Sequence, residues 1–152
     1  MTFTTTLQAI AASALVLHAK GELGYQSTEN VKLKSCRYIY DNGARCAIGA
    51  GLPLELAQEI TQREEEAEVI FAVSDLIFDN TIKITDDYSP SNWCGDSMAS
   101  QLQVLHDACS SSLSVGDKVS FGQNEARFLF ALNELSAGRK PTMTEIFNAG
   151  GA

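Results

Sequence analysis

Apolar residues recur at three- and four-residue intervals along most of this chain, the signature of helices with one buried face. Leu7, Ile10, Ala14 and Leu17 share such a face, with His18 at its margin. Thr4, Thr5 or Thr6 can cap that helix and Gly21 can stop it. Residues 21–35 are polar and broken by Gly21 and Gly24, which predicts a connector. A second helix is expected after Pro53, with Leu56 and Ile60 on one side. Glu64, Glu65 and Glu66 suit the positive end of a third, in which Val69, Ile70, Val73, Leu76 and Ile77 form a stripe opposite Glu68, Asp75 and Asp79. Residues 79–95 predict a long acidic loop. Asp96 or Ser97 can cap the next helix, with Met98, Leu102, Leu105 and Cys109 inward, ended by the serine run 110–114 and Gly116. Gln123 or Asn124 opens a last long helix with Phe128, Leu129, Ala131, Leu132 and Leu135 inward. A short helix from Thr142 to Asn148 follows.

One stretch breaks the helical period. Residues 36–41 are aromatic and β-branched, and Asn42-Gly43 is a strong tight-turn pair, so a small β-hairpin is expected there. Residues 46–52 then crowd small side chains together, which allows close backbone approach. The pattern as a whole predicts a mainly α protein: one compact domain over residues 1–152 with about five helices, a small β-hairpin and a flexible tail near 149–152.

Composition narrows the class. At 152 residues and 45% hydrophobic the chain can bury a core of its own, and it is too apolar for intrinsic disorder. The formal charge of −8 argues against direct nucleic-acid binding and against an anionic membrane surface. The first basic residue, Lys20, follows the Leu7–Leu17 apolar stretch, the reverse of a secretory signal, and a cytoplasmic protein is expected. The charge is also unevenly spread. Residues 55–96 hold eleven acidic residues against Arg63 and Lys83, a net of −9, whereas residues 1–54 carry +2 and residues 97–152 carry −1. Such a segment is either a solvated helix face with a soluble loop, or a negative surface that meets a basic partner in place of phosphate. On the second reading the contact residues are Glu55, Glu59, Glu64, Glu65, Glu66, Glu68, Asp75, Asp79, Asp86 and Asp87, with Tyr88 and Trp93 as loop aromatics.

Candidate chemistry is sparse. Cys36, Cys46, Cys94 and Cys109 match no compact disulfide framework and read as free thiols. Cys46 at a turn, with His106, is the one candidate for a cysteine-dependent hydrolase or transferase. Two features count against it: Cys46 is flanked by Ala47 and Ile48, and neighbouring residues on a helix point about 100° apart, which places Asp107 poorly to orient His106. His106 and Cys109 share a helix face, and Cys36, Cys46 and Cys94 could complete a zinc set, but no short Cys-x-x-Cys spacing supports a metal, and no cofactor is expected. Gly49-Ala50-Gly51 lacks the residues of a phosphate loop.

The order Cys36-Arg37-Tyr38, Asp41-Asn42-Gly43, Cys46-Ala47-Ile48-Gly49 and Leu52-Pro53, followed by Leu102-Gln103-Val104-Leu105-His106-Asp107, resembles a family of small bacteriophage and prophage proteins without an assigned activity. The chain departs from that pattern at Gly51, where a larger residue is usual, and in its longer 79–95 segment and C-terminal helix. The resemblance implies structural roles for Cys36, Tyr38, Gly43, Cys46, Gly49, His106 and Asp107. It also implies an origin in a mobile element, whose accessory proteins often bind and disable host machinery, nucleic-acid-guided (CRISPR-Cas) defence complexes included. The expected function is therefore non-enzymatic: inhibition of a host protein with a basic surface, with homo-oligomerisation left open. A small-molecule signal-sequestering protein is the other alternative to the cysteine enzyme.

Overall fold

Thr6 has extended backbone and its hydroxyl accepts a hydrogen bond from the Ala9 N–H at 3.0 Å, so helix α1 (Leu7–Lys20) begins where its first orphan donors find a partner. Gly21 ends it in the left-handed conformation, φ 71°. This computed structural model describes residues 1–32, 37–91 and 96–151. After α1 come a 3₁₀ turn (Gly24–Gln26), α2 (Thr28–Lys32), a second 3₁₀ turn (Gly49–Gly51), α3 (Leu54–Ala67), α4 (Val73–Phe78), α5 (Met98–Ser114), α6 (Lys118–Ser136) and α7 (Met143–Ala149). The architecture is mainly α, and five of these helices have seven residues or more. No helix among the described residues is long and apolar enough to cross a membrane.

Helix α6 packs against both α1 and α5, and α7 folds back on it. In the core that these helices share with α3 and α4, Ile10, Ile60, Leu76, Met98, Leu102, Phe128 and Leu132 are fully buried. Asp117 caps α6, accepting from the Ser120 N–H at 3.0 Å, and Thr142 and Glu145 cap α7 reciprocally.

The β element differs from expectation. The two strands, β1 (Phe3–Thr5) and β2 (Ile82–Ile84), pair in parallel with Phe3 opposite Ile82 and Thr5 opposite Ile84, and neither lies at Asn42-Gly43. The Asn42-Gly43 turn does form: the Tyr40 N–H donates to the Ala44 carbonyl at 2.8 Å and Gly43 takes φ 85°. Its flanks do not run on as paired strands, because Arg45 bridges instead to Leu23. Three helix boundaries also move. Glu64, Glu65 and Glu66 fall in the last turn of α3 rather than the first turn of another helix, and Glu68 stops α3 at φ 55°. Residues 69–72 lie outside any helix or strand, which leaves Val69 and Ile70 exposed instead of on a buried stripe. The serine run lies inside α5, and α6 starts at Lys118, before Gln123.

Candidate functional site

The residues that carried the sequence resemblance converge from three separate segments. Asn42 Oδ1 accepts from the Ala44 N–H at 3.1 Å, and this Asx turn with Gly43 reverses the chain toward Cys46. Arg45 pins the next loop, its Nη1 donating to the carbonyls of Leu52 at 2.9 Å and Gly49 at 3.3 Å. Gly49 then presses on the backbone of Tyr38, so closely that a Cβ there would sit 2.8 Å from the Tyr38 carbonyl carbon. The Gly49 N–H donates to Cys46 Sγ at 3.3 Å. From α5, Gln103 Oε1 accepts from the Ile48 N–H at 3.4 Å, and Gln103 Nε2 donates to Asp107 Oδ1 at 3.1 Å. Cys36 belongs to the same sequence pattern but lies outside the described residues, as do Trp93 and Cys94.

A strap of residues 70–74 closes the opposite side. The Tyr38 hydroxyl donates to the Phe71 carbonyl at 2.6 Å, and the Phe71 N–H donates to Glu64 Oε2 at 2.7 Å, so the strap is held at one residue from both directions. Between strap and α5 lies a cleft of about 360 Å³, with Cys46 and Tyr38 at its floor, Ile70, Phe71 and Val73 on one wall, and Ser100, Gln103, Val104 and Asp107 on the other. That volume is in the range of small-ligand sites. Ile70 and Val104, both more than half exposed, form its lips.

His106 turns away from this cleft. Its ring is fully buried and meets Tyr25 edge-on at 5.4 Å and Phe128 at 5.9 Å. The Tyr25 hydroxyl donates to Glu125 Oε2 at 2.8 Å, and burial pushes that phenol far above its ordinary value. One expectation is overturned here: His106 Nδ1 and Asp107 Oδ1 do meet, at 3.1 Å, because a short carboxylate can bend back over its own turn. Cys109 is buried beneath, and burial, with the charge of Glu125 second, pushes its thiol up to about 12. It is therefore a protonated core thiol at neutral pH. Among the described residues no three His, Cys, Asp or Glu side chains are placed to hold a metal ion.

The acidic segment divides into two groups. Glu64, Asp75, Asp79, Asp86 and Asp87 each accept backbone N–H groups. Asp86 caps α1 across the molecule, accepting from Leu7 and Gln8, because the parallel strands bring the end of β2 beside the start of α1. Asp87 does the same for α5 through the Ala99 N–H at 3.1 Å. Tyr88 is half-buried, its hydroxyl donating to the Pro141 carbonyl at 3.2 Å and its ring under Lys140. The second group lies along α3. Glu65 pairs with Arg37 at 2.9 Å, while Glu55, Glu59, Glu66 and Glu68 are exposed and make no ion pair among the described residues. Sequence reasoning named Arg37, Gln103, Val104 and Asp107 within the resemblance pattern but missed the strap, the Arg37–Glu65 pair and the role of α5 as a cleft wall. Only the last left a signal, the polar spacing of Ser100, Gln103 and Asp107.

No protein-family profile matches the chain, and no curated protein or solved structure matches it.

Burial raises the Glu64 carboxyl above its ordinary 4.5, with the Phe71 N–H pulling the other way. A raised acid favours the native state while it is protonated: its contribution is complete below 4.5 and is lost as pH rises through the native value. Glu64→Gln keeps an acceptor for Phe71 without that charge. The variant is expected to gain on the parent protein as pH goes from 4 to 7.5, measured by urea midpoints. A parent that instead gains on the variant would reverse the sign and refute the assignment.

Proposed function

We propose that the protein is a non-enzymatic, phage-type accessory protein that binds and inhibits a host protein presenting a basic surface, in the host cytoplasm. The contact residues are the free carboxylates of α3. Glu55, Glu59 and Glu66, with Gln62 between them, stand at the four-, seven- and eleven-residue spacings of one helix stripe, and Glu68 follows at the helix end. The observation that carries the reading is that these four carboxylates are exposed and make no ion pair and accept no backbone N–H among the described residues, while five neighbours in the same acidic segment are spent on backbone N–H groups. Such a row steers a basic partner and speeds its encounter. A nucleic-acid-guided defence complex, whose grooves are basic, is the kind of target that this surface suits.

The test is charge reversal with the fold intact. E55K/E59K/E66K/E68K should melt close to the parent protein, since among the described residues none of the four makes an ion pair and only Glu66 holds a side chain, Gln62, at 3.0 Å. From host lysate, the parent protein should retain a partner at 50 mM salt and release most of it at 300 mM, and the reversed protein should retain at least tenfold less. Equal retention by both would end the proposal.

A further inference from the structure

Among the described residues β1 is paired on one side only. Its ladder to β2 uses the main-chain groups of Phe3 and Thr5: the Phe3 N–H donates to the Thr81 carbonyl at 3.1 Å, and the Thr5 carbonyl accepts from the Thr85 N–H at 3.0 Å. Successive residues of a strand direct their N–H and C=O groups to opposite edges, so those of Thr4, and of Thr2 before it, point away from β2. There they meet no hydrogen-bond partner among the described residues.

That edge lines a groove of about 650 Å³, whose other wall is the start of α3 with Pro53, Glu55, Leu56 and Glu59. Phe3 and Leu56, both half-buried, supply apolar contact. Glu55 and Glu59 are exposed and stand one helical turn apart, about 6 Å along the axis. Side chains i and i+2 of a strand repeat at roughly 6.4–6.8 Å, nearly the same interval. One wall therefore offers main-chain hydrogen bonds, and the other two carboxylates at the spacing of alternate residues in an extended chain. Charge disfavours a second copy of β1 as the occupant, because it would bring its own Glu55 and Glu59 against these.

We propose that an extended basic segment of the partner adds to the sheet as a third strand along the free edge of β1. Its main chain pairs with Thr4, and two lysine or arginine side chains two residues apart meet Glu55 and Glu59. Strand addition takes its affinity from the main chain and its specificity from alternate side chains. The proposal rests on the reading of the α3 row as a contact surface, and it gives the shape of what part of that row meets.

Because the chain carries a charge of −8, every arm of the test holds charge constant. The probe is a fluorescein-labelled, end-blocked peptide of six residues alternating lysine and valine, titrated with the full chain at 150 mM NaCl and followed by anisotropy. The same residues with the three lysines consecutive should bind at least tenfold more weakly. Two further versions carry N-methyl groups on all three lysine amides or on all three valine amides, each set lying along one edge of the extended peptide. One of these should bind at least tenfold more weakly than the other, since only one edge faces Thr4. T4P removes the free-edge donor of β1 and leaves the Phe3 and Thr5 ladder intact, and it should weaken the alternating peptide at least tenfold. Unchanged binding by T4P would overturn the proposal. So would equal binding of the two methylated peptides, or no binding of the alternating one, and both of these are measured on the parent protein should T4P fail to fold. Lysate retention that the α3 charge reversal lowers and T4P leaves unchanged would sink strand addition while keeping the α3 reading.

Discussion

Replacing Gly49 by alanine is expected to cost about 3 kcal/mol or more of stability, seen as a fall in the urea midpoint and in Tm. The added methyl would meet the Tyr38 carbonyl and Cα, with the Cα at 3.0 Å. These are backbone atoms, with no rotamer to swing away. Tyr38 cannot retreat readily either, because its side chain is buried and its hydroxyl holds Phe71. Relief requires separating the Cys46 loop from residue 38, which strains the Ile48–Gln103 hydrogen bond to α5 and opens the cleft floor. Set against a total stability of roughly 5–15 kcal/mol for a domain, that loss is large. Gly122→Ala supplies the contrast. It lies within α6 with nothing within 4 Å of the added Cβ, so the substitution should stabilise by about 0.5–1 kcal/mol. A G49A protein that melts with the parent would show that the close approach of residues 38 and 49 is not part of the fold.

The second large effect runs the other way. Gln101 on α5 is 1% exposed, and neither its Nε2 nor its Oε1 has a hydrogen-bond partner among the described residues. An amide taken from water without compensation costs about 1–3 kcal/mol. Methionine has nearly the same length and flexibility and no polar atoms. Gln101→Met should therefore recover most of that cost and raise Tm by about 2–4 °C per kcal/mol. The measurement is a thermal melt with a urea titration, and the slope of the titration should not change. A lower midpoint for Q101M would show that the amide is hydrogen-bonded in solution and that α5 keeps Gln101 for that bond.

How much of this was legible in advance depended on the range of the interactions. The start and stop of α1 were readable at Thr6 and Gly21, and α5 at Ser97, because a cap involves residues only a few positions apart. The start of α6 was equally local, and Asp117 with Ser120 marked it. It was misplaced because polar Ser120, Gly122, Gln123 and Asn124 interrupt the apolar period. The β pair was unreadable. Strands of three residues are too short to show alternation, and Phe3 and Ile82 are brought together only by the helices between and around them. The division of the acidic segment was hidden for the same reason: Asp86 differs from Glu59 only in having the start of α1 beside it.

What the chain alone determines, then, is a mainly helical domain, both ends of α1 and the start of α5, and the concentration of negative charge between residues 55 and 96. Periodicity, capping and charge are properties of neighbours in sequence. The tertiary structure decided which carboxylates are consumed by backbone donors and which stay free on α3. It also decided that Tyr38, Cys46 and Asp107 meet around a cleft while His106 faces the core. Those outcomes depend on contacts between segments tens of residues apart, whose geometry exists only once α5, the strap and the glycine-tight loop have packed together.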